Sequence, residues 1–519
     1  MANDDSRPLI NPWIIAITVM LSTFLEVLDT SVVNVSLPHI AGSLSATIDE
    51  ATWVLTSYLV ANAIILPITG WLANQFGRKR LLIAAVTGFT GASLLCGIAP
   101  TLPALVLFRV LQGAFGGALQ PISQAVLLES FPPEDRGKAM AFWGLGIVVA
   151  PILGPTLGGW LTDAFSWRWV FYINLPIGIA SIIMTKMFIW DPHYIKPRGG
   201  RVDGWGLGMM AVGIACLQIM LDKGQEADWF GSHFIVALAI IAMALLTAFV
   251  VWELKIKDPI VNLRVFKDRT YATGVFLMTL LGFVLYGALV LLPLFMQVLL
   301  GYSAVAAGIW TAPRGIGALI FMPITGILLS RKWDPRILLG LGLLTGAYSL
   351  WAFSHFDLNT GPWGFFWPQI IQGAGLAFIF VPLTTVTMDP VPNSEMGNAT
   401  SLFNLMRNLG AGAGISSVTT LVVRRSQFHQ NRLVANVSAA NPTLRHMLAG
   451  FKAMLIARGV DAATAGRQAL GAVYGMVQQQ AALLSYVEAF WVLAVVFLLM
   501  TPLVLLMKRP KSTKAISAH

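Results

Sequence analysis

Charge is scarce in this chain. Of 519 residues, 11% are Asp, Glu, Lys or Arg and 56% are hydrophobic, with a mean hydropathy of +0.73. Soluble domains average about 25% charged residues, so a soluble globular fold is excluded. Cysteine is scarcer still. Cys96 and Cys216 both sit in apolar stretches, which leaves no disulfide framework and no cysteine metal spacing. The histidines His39, His193, His233, His355, His429, His446 and His519 fall at the ends of apolar stretches or between them, so a metalloenzyme reading is weak. No Gly-x4-Gly-Lys-Ser/Thr phosphate loop is present, so this chain does not draw on ATP. No cofactor and no metal are expected. The N-terminus opens on Asp4 and Asp5 and lacks a small-x-small cleavage pattern, so its first apolar stretch is expected to be retained.

What the chain has instead is apolar length. Crossing a bilayer takes about 20 apolar residues, and fourteen stretches qualify: 13–37, 52–73, 81–99, 102–128, 139–161, 169–189, 205–221, 234–252, 271–299, 304–329, 337–353, 364–388, 398–423 and 486–507. Lipid offers no partner to backbone N–H and C=O groups, so these stretches are expected to be helices and the protein an all-α membrane protein. Basic residues gather in alternate connections: Arg78-Lys79-Arg80, Arg136 with Lys138, Lys196 to Arg201, Lys255 to Arg269, Arg331 to Arg336 and the tail from Lys508. The other short connections hold only Arg168 and Lys223. By the positive-inside rule both termini are cytoplasmic. The net charge of +10 is then topology, and nucleic acid is not an expected partner. The long connection 424–485 lies outside. It reads as a capping loop or a docking surface, with helical stretches at 443–458 and 461–484.

The chain repeats itself. Pro67-Ile68-Thr69-Gly70 recurs as Pro323-Ile324-Thr325-Gly326, at an offset of 256. Arg109-Val110-Leu111-Gln112-Gly113 matches Gln369-Ile370-Ile371-Gln372-Gly373, at 260. Stretches 1–6 therefore match 9–14. The expected plan is an N-terminal six-helix half over 1–189, an insert of two helices within 190–270, and a C-terminal six-helix half over 271–519 that includes the loop 424–485. In transporters built this way the substrate is handled between the halves, near midplane.

Five charges stand inside the apolar stretches: Glu26, Asp29, Arg109, Arg314 and Arg407. Each costs roughly 2.5–3.5 kcal/mol at the bilayer centre, so each marks function or a partner. Glu26 and Asp29 are three apart and share a helix face. At 1.5 Å per residue Asp29 lies about 12 Å, and Arg109 about 10 Å, below the outer ends of their stretches, which allows a contact. Burial and a neighbouring guanidinium push a carboxylate in opposite directions, so a balanced carboxylate can carry a proton across. A static ion pair is the alternative. Arg314 and Arg407 meet an anionic substrate or pair with Glu26 or Asp29 across a cavity. The stretch Pro151, Gly154, Pro155, Gly158 and Gly159 is built for close helix packing and a tight seal between the halves.

Together these residues resemble the major facilitator superfamily. Gly70, Asn74, Gly77 and Arg78 fall in its loop 2–3 signature, although Asn74 stands where an acid is usual. Arg109 to Gly113 resembles its fourth-span signature, and Ala150 to Gly159 its antiporter signature. Leu28 to Pro38, with Asn34, and Trp167 to Gly178 are similar to the fourteen-span drug/proton antiporters, and Leu217 to Gly224 with the long outer loop to EmrB-type pumps. The resemblance implies proton-coupled export of hydrophobic drugs across the bacterial inner membrane by alternating access. It also implies a periplasmic EmrA-type adaptor and an outer-membrane channel. With the buried charges this gives expected coupling at Asp29, Glu26 and Arg109, an expected substrate cavity near Asn34, Arg314 and Arg407, and expected gating or packing at the Gly70 and Gly154 motifs. An exporter of one native metabolite (a siderophore or fatty acid), an uncoupled facilitator and a non-transport scaffold are the other readings.

Overall fold

The computed structural model describes residues 11–191, 203–256, 258–435, 437–438 and 441–508. Asp4, Asp5, the basic run 196–201, Lys257 and the tail from Arg509 lie outside the described residues. Among the described residues every regular element is a helix.

Fourteen long helices run in chain order through the described residues. They are α1 (Pro12–Ser43), α2 (Trp53–Phe76), α3 (Arg78–Ile98), α4 (Leu102–Ser130), α5 (Arg136–Ala164), α6 (Trp169–Phe188), α7 (Gly204–Lys223), α8 (His233–Lys255), α9 (Arg269–Leu299), α10 (Val305–Ser330), α11 (Pro335–Phe353), α12 (Pro362–Met388), α13 (Met396–Val434) and α14 (Ala462–Met500). All but α13 are both long and apolar enough to cross a membrane. In α13 the residues Asn398, Asn404, Arg407 and Asn408 dilute the apolar run while the helix stays continuous. Several helix starts follow short polar caps. Asp268 accepts from the amides of Thr270 and Tyr271, and Asp203 from that of Gly206.

The helices form two six-helix halves, α1–α6 and α9–α14, with α7 and α8 inserted between them. Two seams join the halves. Along one, α5 packs on α10. Gly137 faces Leu329, Gly144 faces Met322, and Ile152 faces Gly315. Along the other, α2 meets α13 toward the end that the basic connections assign to the cytoplasm. A Cβ on Gly70 would lie 2.5 Å from the Asn398 amide nitrogen. Toward the outer end α2 and α13 each turn to α7 instead. The Thr56 hydroxyl donates to Asp222, the Lys223 ammonium to the Thr52 hydroxyl at 2.5 Å, and Gln218 lies beside Gly412. Residues of α2, α7, α8, α13 and the 256–268 connection form one apolar cluster over this seam, including Leu66, Ile214, Phe249, Val261 and Leu402. At the cytoplasmic end, burial pushes the Asp389 carboxyl up from its ordinary value and Arg136, on the opposite half, draws it back down.

The two helical stretches expected within 424–485 are present, but the connection itself is shorter than expected. The helix α13 runs on to Val434, and α14 already begins at Ala462. Only 435–461 connects them, and it carries the short helix Pro442–Ala457. Apolar length marks where a chain enters lipid, whereas caps and breakers mark where a helix ends. Gly459, at φ +90°, follows the end of the short helix, and Asp461, which accepts from the amides of Ala463 and Thr464, caps the start of α14. The 462–485 part of α14 therefore projects about 36 Å as helix. Arg425 clamps it to α13 by a two-pronged pair with Glu488, at 2.5 and 2.7 Å.

Candidate functional site

Asp29 is wholly buried in the N-terminal half, one face of α1 against α4 and α6. Arg109 donates to its Oδ2 at 2.6 Å. Gln112 and Asn174 donate to its Oδ1 at 2.9 and 2.7 Å. Arg109 also donates to the Val54 carbonyl at 3.0 Å and to the Gln112 oxygen at 2.8 Å, and its guanidinium lies 4.1 Å from the Tyr58 ring centre. Its Nη2 has no partner among the described residues. All four side chains are fully removed from water. The Asp29–Arg109 contact drawn from helix depth is thus present. Gln112 reaches it because it stands three residues beyond Arg109, one helical turn along the same face. A Glu26–Arg109 contact, which the same helix depths also allow, is not present: Glu26 takes a hydrogen bond from Asn62 at 2.9 Å, and its second oxygen accepts none.

Glu26 looks across toward the other half through Gln120, which accepts from the Arg407 guanidinium. Arg407 is buried, and its Nε is unpartnered. It lines a small central cavity with Gly144, Val148, Leu281, Tyr286 and Phe380, on helices of both halves. Arg314 is buried in α10 directly after Pro313, where Ala312 keeps helical dihedrals and its amide still donates to the Gly308 carbonyl at 3.1 Å. It makes no hydrogen bond or ion pair to any described residue, and the ionisable side chain acting on it is Tyr286. The expected pairing of Arg314 or Arg407 with Asp29 does not occur; Glu26, the other acid expected for it, faces Arg407 through Gln120 and feels its charge, while Arg314 reaches neither acid. Asn34 is exposed, one and a half turns outward of Asp29, and is not among the residues lining the cavity.

The motif glycines separate into two faces. A Cβ on Gly154 would meet the Ser31 hydroxyl oxygen at 2.1 Å, and one on Gly158 the Val32 carbonyl at 2.9 Å, so both pack on α1 within the N-terminal half. Pro155 cannot donate back to Pro151, and the Ser31 hydroxyl fills that carbonyl at 3.3 Å. The seal between the halves, expected of these glycines, lies on the opposite face of α5, at Gly137, Gly144, Ile152 and Pro155. Gly159 has open space around it. In the loop 2–3 motif, Gly70 abuts Asn398 and Gly77 adopts φ +85° beside Asp191. Arg78 pairs with Glu129, and Asn74 is exposed.

Gln112 and Asn174 were in view only as letters of the motifs around them, while Asn62 and Gln120 carried no sequence signal. A glutamine three residues from a buried arginine is the pattern that would have found the first.

A model of the major facilitator superfamily matches residues 19–415. The chain belongs to the major facilitator superfamily. Among its relatives, the fatty acid resistance protein FarB of Neisseria gonorrhoeae is 41% identical over 499 residues, 96% of each chain. The multidrug export protein EmrB of Escherichia coli K12 is 37% identical over 507 residues, 97% of each. Among solved structures, a double-tryptophan variant of XylE superposes with a TM-score of 0.63 at 15% identity, covering 96% of this chain and 97% of that one. The human organic anion transporter MFSD10 does so at 0.62 and 12%, covering 96% and 100%. These two show the shared fold. The protein is a multi-pass transporter of the major facilitator superfamily, of EmrB type.

Proposed function

We infer that this transporter exports hydrophobic small molecules in exchange for protons, by alternating access, in the bacterial inner membrane with both termini cytoplasmic. The observation that carries the reading is the Asp29–Arg109 pair. A carboxylate held by three donors in a water-free site, with one guanidinium nitrogen left over, changes its bonding when it takes a proton. Neutral Asp29 no longer holds Arg109, and Arg109 is then free to move with the helix that bears it. One charge crossing 100 mV supplies about 2.3 kcal/mol. Alternating access is supported by the two unlike ends of the α2–α13 seam, in direct contact at one end and separated by α7 at the other. The EmrB relative supports a broad substrate range, and the FarB relative supports the second reading, a dedicated exporter of one native compound. By the same likeness the protein works with a periplasmic EmrA-type adaptor and an outer-membrane channel. Proteoliposomes test the exchange: adding substrate should drive measurable proton movement, and transport with no proton movement would leave an uncoupled facilitator.

A further inference from the structure

We propose that Asn174 is the positioning residue that accommodates the proton on Asp29: when Asp29 is protonated, the Asn174 side-chain amide turns over and its oxygen accepts from the new carboxyl O–H. This rests on the exchange reading above and deepens it, by naming the group that registers the proton.

Every hydrogen bond made to Asp29 suits its charged form. Arg109 donates to Oδ2 at 2.6 Å, and Gln112 and Asn174 donate to Oδ1 at 2.9 and 2.7 Å. A charged carboxylate only accepts, whereas a protonated one carries an O–H that has to donate. On either oxygen the new hydrogen would point at a donor, and a buried O–H without an acceptor is costly. The site as built therefore holds one protonation state. The other needs a side chain that changes from donor to acceptor.

The neighbours differ in that capacity. A guanidinium has no acceptor atom. The Gln112 oxygen is already filled, by Arg109 at 2.8 Å and by the Cys96 thiol at 3.5 Å. The remaining titratable groups about Asp29 are Tyr58 on α2, Cys96 on α3 and Glu26 on α1 itself. Tyr58 covers Arg109 with its ring, and Glu26 is held by Asn62. Helix α5 carries no charged or titratable residue between Lys138 and Asp163, and Tyr172 of α6 lies against Gly97 instead. Asn174 is the exception. It is wholly buried, its nitrogen donates both to Asp29 and to the Ser93 hydroxyl at 3.0 Å, and its oxygen has no partner among the described residues. Half a turn of the amide exchanges nitrogen for oxygen and sets an acceptor opposite both Asp29 and Ser93.

Ser93 suits either orientation. It now accepts from Asn174 and donates to the Phe171 carbonyl at 2.9 Å. A hydroxyl both donates and accepts, so its hydrogen swings to the turned Asn174 oxygen, and the Phe171 carbonyl still receives the Ile173 amide. In the charged state Asn174 gives two hydrogen bonds, and in the neutral state it takes two. The proton ends on Asp29 Oδ1, no bond between heavy atoms forms or breaks, and Arg109 keeps the Val54 carbonyl and the Gln112 oxygen while losing its hold on Asp29. A proton arriving on α1 is thereby felt on α3 and α6 as well as on α4.

The test is pH-jump infrared difference spectroscopy on the purified full-length protein in phosphatidylcholine nanodiscs, with 13C in the asparagine side-chain carbonyls. As pH falls, a protonated-carboxyl band should rise in the wild type and be missing from Asp29→Asn. With it, one asparagine carbonyl band should move to lower frequency as it gains a hydrogen bond. Asn174→Leu, similar in shape, should lose that moving band, and the smaller change Asn174→Ser assigns it equally. In proteoliposomes, Asn174→Leu should lower drug-evoked proton movement about tenfold, the scale of one lost hydrogen bond. Asn174→Gln, which keeps a reversible amide, should restore part of it. A rising carboxyl band with no moving asparagine band overturns the proposal and leaves the exchange reading standing, and this comparison needs no variant to fold. A moving band that persists in Asn174→Leu or Asn174→Ser belongs to another asparagine and overturns it too. A carboxyl band that rises unchanged in Asp29→Asn overturns both readings. Both bands as expected, without drug-evoked proton movement in the wild type, would sink the exchange reading alone.

Discussion

The two halves share a scaffold and differ in their chemistry. At the offsets that align the repeat, Gly113 corresponds to Gly373, and both let a neighbouring backbone carbonyl come close. A Cβ at either would meet the Tyr58 or the Arg314 carbonyl oxygen at 2.3 or 2.0 Å. The side chains on that shared frame have been exchanged. Tyr58, which stacks on Arg109, corresponds to Arg314, and Arg109 corresponds to Gln369. The N-terminal half thus pairs Arg109 with Asp29, while the C-terminal half leaves Arg314 without an ion pair among the described residues and places an amide, itself unpartnered, where the arginine would stand. Packing positions are set by the helix frame, whereas under the proposed function the charge placed on that frame sets what each half handles, protons on one side and substrate on the other.

The comparison can be broken first where the halves are alike. Gly154→Leu and Gly414→Leu both drive a side chain into an adjacent helix, against Ser31 and against the Phe283 carbonyl oxygen at 2.1 Å. Overpacking costs about 1–3 kcal/mol or more. Both variants should lose export nearly completely in a vesicle transport assay, and to the same degree. A large difference between them would deny the shared frame.

Next comes the place where the halves differ. Arg109→Lys keeps the charge and loses the planar fork that serves Asp29, Gln112 and Val54 together. Export should fall about tenfold to a hundredfold and its pH profile should shift. The matched change Gln369→Ala, at a side chain with no partner, should leave export within about twofold. An unshifted pH profile for Arg109→Lys would make the Asp29–Arg109 contact a static pair.

Gln120 sits between the halves, between Glu26 and Arg407. Gln120→Ala should change the apparent substrate affinity by a few fold, since a single side-chain hydrogen bond contributes about 1 kcal/mol, and leave the maximal rate nearly unaltered. A collapse of the maximal rate would place Gln120 in the proton path instead.

The smallest effect is expected furthest from both sites. Replacing the short helix 443–457 by a Gly/Ser linker should leave transport in vesicles unchanged, because α13 and α14 are clamped by Arg425 and Glu488. Loss of vesicle transport would make the outer hairpin part of the pump itself.

Much of this was legible in the sequence, for physical reasons that also mark the limit. Apolar length and the internal repeat gave fourteen helices in two halves, because lipid admits little else. Buried charge is expensive, so Asp29, Arg109, Arg314 and Arg407 stood out at once, and matching depths brought Asp29 to Arg109. The neutral partners did not stand out. Asn62, Gln112, Gln120 and Asn174 cost little in a polar interior, and only their geometry shows what they hold. The faces of α5 were also hidden, since a Pro/Gly motif announces close packing without naming the neighbour. The extent of α13 and α14 was missed because hydropathy reports the membrane and says nothing of where a helix stops.

The central claim is the division of labour between the halves, and Asp29→Asn tests it most directly. The change preserves shape and removes the titratable proton. In proteoliposomes with the variant, substrate should evoke no proton movement, while equilibrium binding of a hydrophobic drug in nanodiscs stays within a few fold of wild type. Substrate-evoked proton movement at the wild-type rate would contradict the account.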